Sequence, residues 1–175
     1  MTTEQQIQIG LSLLTVLSSG VVSATVTYML NKRREERQLF RKKLEELYLA
    51  THKFENLLGG HLLLYLKGID GKLDLNQVND CQIEDNKRRG RESSCDDAMM
   101  LIAIYFPQLQ KEWDDFLKVR DAGSEICATW AQTQREGRPG PHRQLQTAMV
   151  AVIDGLVKPS KALKDAIQKT ARRLS

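Results

Sequence analysis

Apolar residues recur at helical spacing along most of this chain, and the first apolar run is far longer than the others. From Ile7 to Leu30 there is no Asp, Glu, Lys or Arg. At about 1.5 Å of rise per residue this run makes roughly 36 Å of helix, enough to cross a hydrocarbon core of about 30 Å. The pattern predicts a transmembrane helix over 7–30, preceded by a short extracytoplasmic tail over 1–6.

A cleaved signal peptide is the main alternative for this run. Signal peptides carry positive charge before the apolar stretch and a small-residue cleavage site after it. The segment MTTEQQ before the run contains no Lys or Arg, and no A-x-A site precedes the charged residues that follow. These features favour a retained anchor.

One face of the predicted transmembrane helix carries small and hydroxylated residues at spacings of three and four. Small residues allow two helix backbones to approach closely in lipid, and hydroxyl groups can bond across the contact. The alternative is that these hydroxyl groups bond the preceding carbonyls of their own helix. The predicted transmembrane interface consists of Ser12, Thr15, Ser19, Gly20, Ser23, Ala24 and Thr27.

The residues after the anchor form three apolar seams with spacings that alternate between three and four, which is the helical pattern. With about 140 residues there is enough chain for one domain with its own core. We therefore predict an all-α fold in which the anchor continues into an antiparallel bundle over 44–175, of three long helices or of four or five if prolines split them. The seams are Phe40, Leu44, Leu47, Thr51, Phe54 and Leu58; Met99, Ile102, Phe106, Leu109, Trp113, Phe116, Cys127 and Trp130; and Leu145, Met149, Val152, Leu156, Leu163, Ile167 and Leu174.

Glycine and proline residues mark where these helices are expected to bend or stop. Gly59 and Gly60 predict either a kink or close packing of another helix, because two interior glycines cost about 2 kcal/mol relative to alanine. Pro107 and Pro159 each predict a kink or a split. The run Glu136–Pro141 is the clearest break in the chain.

The stretch over 67–92 has a weaker signal. Its many Asn and Asp residues favour a loop, although Leu73, Leu75, Val78 and Ile83 leave a short helix possible. Ser93 or Ser94 is expected to cap the next helix. In a bundle of three long helices, the second would return toward the membrane, which would bring the turn after Arg135 close to the headgroups.

Charge is concentrated directly after the anchor. The segment over 31–43 has a net charge of +5, whereas the whole chain has a formal net charge of +4. Because positive flanks stay on the cytoplasmic side, we expect a single-pass inner (plasma) membrane protein with its N-terminus outside and its C-terminal domain cytoplasmic. The residues expected to contact anionic headgroups are Lys32, Arg33, Arg34, Arg37, Arg41, Lys42, Lys43, Arg135 and Arg138.

The sequence offers no motif for catalysis, cofactor binding or metal binding. Cys81, Cys95 and Cys127 lack C-x-x-C spacing, which indicates reduced thiols with Cys127 in the core. His52 and Glu55 lie three residues apart, a spacing found far more often without a metal than with one. Phosphate-binding glycine loops are missing as well, so we expect no enzyme and no small-molecule substrate.

Three functions are compatible with these features. The favoured hypothesis is a non-enzymatic, membrane-anchored interaction protein: a scaffold, an adaptor or a subunit of a membrane assembly, which binds anionic lipids and associates with itself or with another membrane protein. The alternative is a membrane-acting effector that oligomerises through its transmembrane helix and perturbs the bilayer. A membrane-tethered nucleic-acid-binding protein comes third, because the basic charge lies mostly at the membrane flank and nucleic acid is not expected as a partner.

Overall fold

The computed structural model describes residues 3–89, 94–138 and 142–173, with side chains described from residue 23 onward except those of residues 86, 88 and 89. Over these ranges the regular structure consists of five α-helices and one short 3-10 helix, with no β-strand. The predicted all-α fold is therefore confirmed.

The chain forms two compact units, over 1–42 and over 43–175. The long helix α1, Thr3–Ile69, contributes its first part to unit 1 and its second part to unit 2. The remaining elements belong to unit 2. They are α2 (Leu75–Arg89), α3 (Ser94–Tyr105), the 3-10 helix Pro107–Leu109, α4 (Gln110–Arg135) and α5 (Arg143–Arg173).

In unit 2, α2 and α3 run one after the other back along α1. The Gln82 amide nitrogen of α2 lies 2.9 Å from Nδ1 of His61. Further on, the Tyr105 ring at the end of α3 lies 5.8 Å from Nζ of Lys43. The two helices thus return together from the Ile69 end of α1 to the Lys43 end.

The chain then reverses, and α4 runs in the same direction as α1. The Trp113 ring centroid lies 5.8 Å from that of Phe54, and the Trp130 centroid lies 5.6 Å from that of Tyr65. Since α5 leads back again, unit 2 is an up-down-up-down four-helix bundle in which α2 and α3 together make the second helix position.

The three predicted seams supply most of the core. Fully buried side chains include Leu47, Trp113 and Trp130, and Cys127 is buried as predicted. The seam prediction is wrong for Met99, which is 49% exposed, because the neighbouring Ala98 faces the core instead. Leu174 lies outside the described residues.

The loop favoured over 67–92 contains the helix α2, because a reciprocal cap stabilises its start. The Asp74 N–H donates to Oε1 of Gln77 at 2.9 Å, and the Gln77 N–H donates to Oδ1 of Asp74 at 2.8 Å. This arrangement is a capping box, which satisfies two backbone donors that the helix cannot satisfy itself. Before it, α1 ends at Ile69, and Gly71 adopts a φ of 75° that suits glycine.

Pro107 separates two antiparallel helices, which corrects the predicted course of the chain. Phe106 leaves helical geometry with φ −136° and ψ 52°, and Pro107 begins the 3-10 turn into α4. The stretch expected to return as one helix therefore turns back halfway. As a result, the turn after Arg135 lies beside Ile69, where the His142 N–H donates to the Ile69 carbonyl at 3.3 Å. That is the end of unit 2 opposite Lys43, so this turn does not follow the course expected for three long helices.

The other expected interruptions leave their helices intact. Pro159 lies inside α5, which is continuous from Arg143 to Arg173. Gly59 and Gly60 lie inside α1, and a Cβ atom on either would have no neighbour within 4 Å. Close packing therefore does not explain this glycine pair. At the start of α3, the Ser94 hydroxyl is buried with no hydrogen-bond partner, so it is not a cap, and Ser93 lies outside the described residues.

Candidate functional sites in the two units

In unit 1, the described part of α1 exposes a large amount of apolar surface. Val26, Tyr28, Met29 and Leu30 are 50%, 68%, 58% and 59% exposed, respectively. Isolated exposed apolar residues are normal, but a cluster of large ones usually marks a surface that contacts a partner or a membrane. This cluster directly precedes the basic segment.

The structure describes the side chains of only part of the predicted transmembrane interface. Ser23, Ala24 and Thr27 are exposed on α1. Ser12, Thr15, Ser19 and Gly20 have side chains outside the described residues. The same applies to the rest of the predicted span over 7–22, although its backbone is helical.

Within the part of the chain that the structure describes, none of the helices has the length and apolarity required to cross a bilayer.

The basic segment of α1 places its arginine side chains mainly on one side of the helix. All of its predicted headgroup residues from Lys32 to Lys42 are exposed. With 3.6 residues per turn, Arg33, Arg37 and Arg41 lie at four-residue intervals along one face, and Arg34 lies next to them. Arginine presents a planar fork of donors that matches the oxygen atoms of phosphate. This face is therefore suited to anionic phosphate groups.

Lys43 begins unit 2 and has a different environment from the other basic residues. Its ammonium group lies 2.6 Å from Oε2 of Glu46 and 5.8 Å from the centroid of the Tyr105 ring. The hydrogen bond with Glu46 raises the pKa of Lys43 above its ordinary value. At the other end of unit 2, Arg135 is exposed, and Arg138 pairs with Glu136 at 3.2 Å. Headgroup contact by Arg135 and Arg138 remains a prediction.

In unit 2, residues of α1 and α3 line a groove of about 610 Å³. We call it the α1–α3 groove. Leu49, Met100 and Ile104 on its walls are 58%, 52% and 63% exposed. Methionine is flexible and suits surfaces that adapt to a partner. Its lining consists of Lys43, Glu46, Leu49, Ala50, Lys53, Ser94, Asp97, Met100, Leu101, Ile104 and Tyr105.

A second cavity of about 380 Å³ is lined by residues of α1, α2 and α4. Its polar groups include His61, Gln82 and Arg120. The Gln82 amide lies within hydrogen-bonding distance of Nδ1 of His61. The His61 ring also lies 4.9 Å from that of Tyr65, and its partial burial lowers the pKa of His61.

The thiols differ strongly in their surroundings. Cys81 is exposed. Burial raises the pKa of Cys95, although the Arg120 guanidinium donates to its Sγ at 3.7 Å and opposes that effect. Burial raises the pKa of Cys127 to about 12. Since the thiolate is the reactive form, Cys127 has the chemistry of a structural core residue.

One partly buried polar cluster joins α1 to α5. The Glu55 carboxylate accepts hydrogen bonds from the Ser160 hydroxyl and from the Lys164 ammonium group. Burial alone would raise the pKa of Glu55, but the two hydrogen bonds together with the positive charge nearby outweigh it and lower the pKa. His52, considered above as a neighbour of Glu55, lies with Nδ1 3.7 Å from the same carboxylate. The cluster thus holds two helices together through charge.

Sequence reasoning did not find the α1–α3 groove or the Glu55 cluster. Leu49, Met100 and Ile104 lie off the predicted seams, and only the placement of α3 beside α1 gathers them. Lys164 is separated from Glu55 by 109 positions. No pattern within either helix signals such a pairing.

Comparison of the chain with protein-family models, with curated proteins and with solved structures found no match.

Proposed function

We propose that this protein is a non-enzymatic, membrane-anchored interaction protein that serves as a scaffold, an adaptor or a subunit of a membrane assembly. Residues 7–30 form its single transmembrane helix, with the N-terminus outside and unit 2 in the cytoplasm. Its partners are anionic lipids together with a second copy or another membrane protein.

The observation that carries this proposal is the order of surfaces along α1. Exposed Val26, Tyr28, Met29 and Leu30 are followed at once by the exposed basic segment from Lys32. This order is typical of a helix end that leaves a bilayer, where tyrosine lies at the headgroup level and cations meet anionic lipid. In the sequence, the run without Asp, Glu, Lys or Arg continues from Val26 back to Ile7.

The interaction part of the proposal is supported by the α1–α3 groove, whose walls carry exposed apolar side chains. Tethering would confine that groove to a thin layer beside the membrane. This confinement raises the effective concentration of the groove toward other membrane-bound partners, so weak contacts are sufficient for binding.

Site-specific photo-crosslinking in cells tests the interaction role. A photoreactive residue replaces Ile104 in the groove, and the matched control places it at Val157, which is 68% exposed on α5. We expect discrete crosslinked products from position 104 that fall sharply when the first 30 residues are removed, and few from position 157. Equal, diffuse crosslinking from both positions would contradict an interaction role for the groove.

A further inference from the structure

Helix α2 buries far less of its surface than α3, α4 or α5, each of which has at least four buried residues. Its apolar residues are Leu75, Val78, Cys81 and Ile83, and the other residues of the helix are polar or charged. Among the side chains of α2 that the structure describes, Val78 alone is fully buried, whereas Cys81 and Ile83 are exposed. A helix with so few buried apolar contacts has a low local stability.

The buried contact of α2 is made against bare backbone near the end of α1. A Cβ atom on Gly68 would come within 3.2 Å of Cγ2 of Val78 and within 2.6 Å of the Trp130 ring. Val78 and Trp130 therefore both pack against Gly68. Through this contact, a single valine side chain provides the fully buried apolar attachment of α2 to α1.

Further along α2, the same side of the helix is polar. Gln82 and Asp85 follow Val78 by four and seven residues, so they lie on the same face. The Gln82 amide nitrogen lies 2.9 Å from Nδ1 of His61, and Gln82 also forms a hydrogen bond with Tyr65. Both Gln82 and Asp85 line the second cavity. Because water can replace such hydrogen bonds when a helix moves away, they hold this half of α2 only weakly.

The side of α4 that carries Cys127 lies beneath α2. Arg120, Ser124 and Cys127 are spaced by four and three residues, so they share one face of α4. Arg120 and Ser124 line the second cavity together with Gln82, and Cys127 is buried with 5% exposure. Burial and the proximity of Cys127 both raise the pKa of Tyr65, which places this thiol next to the hydrogen-bond partner of Gln82. Helix α2 thus contributes to the shielding of the Cys127 sulfur.

Contacts that do not involve α2 join α1, α4 and α5 to one another. Phe54 of α1 packs against Phe116 of α4 in an edge-on arrangement, with ring centroids 5.6 Å apart. The ion pair between Glu55 and Lys164 joins α1 to α5. These three helices can therefore stay together when α2 moves away.

We infer that α2 is a lid of unit 2: it opens locally while α1, α4 and α5 remain packed, and it thereby uncovers the side of α4 that carries Cys127. The second cavity then opens into a groove between α1 and α4 in which the edge of Trp130 is exposed. Gly71 in the turn between α1 and α2 is the hinge, because glycine accommodates changes in backbone angles more readily than other residues. The inference concerns unit 2 alone and does not depend on the proposed anchor.

Hydrogen exchange of the full-length chain in detergent gives the first test. Protection of the amides of α2 against exchange should be at least about 100-fold weaker than protection of the amides around Met149 in α5, because a local opening exposes α2 without unfolding α5. Equal protection of the two helices would show that they unfold together and would overturn the inference.

Weakening the attachment of the lid gives the second test. Val78→Ala should raise the rate at which N-ethylmaleimide modifies Cys127 by roughly 30-fold, because the reagent reaches this thiol through the open state. Mass spectrometry of peptides separates Cys127 from the other thiols, and exchange of the α5 amides should keep its wild-type rate.

Two results of this experiment would overturn the inference. If exchange in α2 accelerates while modification of Cys127 does not, α2 does not cover this thiol. If exchange in α5 accelerates by the same factor as exchange in α2, the substitution promotes unfolding of the whole bundle and α2 is an integral part of it.

Ile83→Ala is the matched control, since Ile83 is 51% exposed on the same helix. This substitution also removes apolar atoms from α2 but leaves the contact between Val78 and Gly68 intact. Modification of Cys127 should then stay within about twofold of the wild-type rate. An increase as large as that caused by Val78→Ala would show that the rate does not depend on the lid contact, which would contradict the inference.

Discussion

Gly68 lies so close to Trp130 that a Cβ atom on this glycine would come within 2.6 Å of two carbon atoms of the indole ring. Trp130 is fully buried in the core of unit 2. The absence of a side chain at position 68 is therefore what allows the last turn of α1 to pack against α4.

The first prediction follows from this contact. Gly68→Ala should lower the free energy of unfolding by about 1–2 kcal/mol, because the strain of displacing a buried indole exceeds the gain in helix propensity. Chemical unfolding of the detergent-solubilised chain, followed by tryptophan fluorescence, measures the change. Gly59→Ala is the matched control and should stabilise by about 0.5–1 kcal/mol, since that position is helical and open. Equal effects of the two substitutions would contradict the packing described here.

The second prediction concerns acid stability. The Glu55 pKa is lowered from an ordinary value of 4.5 by Lys164 and Ser160. Its contribution to stability is therefore fully present above that ordinary value and is lost as the pH falls through the lower pKa of the folded state. Glu55→Gln should reduce the free energy of unfolding at neutral pH by about 1–3 kcal/mol and flatten its decline in acid.

Unfolding curves measured between neutral and acidic pH test this prediction. Asp115→Asn serves as the control, because Asp115 also has a lowered pKa through its hydrogen bond with Lys118 but lies on the open surface. It should change stability little at either pH, since an exposed ion pair is screened by solvent. An acid profile unchanged by Glu55→Gln would show that the carboxylate does not stabilise the bundle.

The start of α2 provides a third prediction. Asp74→Ala removes the acceptor for the Gln77 N–H and should destabilise the protein by about 1 kcal/mol. Hydrogen exchange should then accelerate mainly in the first turn of α2. Asp80→Ala, an exposed position within the same helix, should leave this exchange unchanged. Equal acceleration by both substitutions would argue against the capping box.

Some features of this fold can be predicted from the sequence and others cannot, and the physical reasons differ. Residues such as Ile102, Trp113 and Met149 were identified because burial on one side of a helix imposes a period that is visible locally. The reversal at Pro107 could not be predicted, because a proline can either kink a helix or end it. Which of the two occurs here depends on whether Phe106 can leave helical geometry and still be buried. The α1–α3 groove depends on how two helices align, which neither helix encodes alone.

The fourth prediction uses the thiols. In the folded chain a maleimide reagent should modify Cys81 rapidly, Cys95 slowly and Cys127 hardly at all, because burial raises the pKa of Cys127 to about 12 and shields its sulfur. Mass spectrometry of timed samples gives the three rates. In denaturant the three rates should converge. Rapid modification of Cys127 in the folded protein would contradict its placement in the core.

Membrane anchoring through residues 7–30 is the central claim of this account, and extraction of isolated membranes with high-pH carbonate tests it most directly. Peripheral proteins are released by this treatment, whereas a protein held by a transmembrane helix stays in the membrane pellet until detergent is added. The matched variant Leu17→Lys/Val21→Lys places two charges near the middle of the run, at a cost of about 2.5–3.5 kcal/mol each. We predict that the full-length chain stays in the pellet and that the variant shifts to the supernatant. Release of the unmodified chain by carbonate, to the same extent as the variant, would contradict the account.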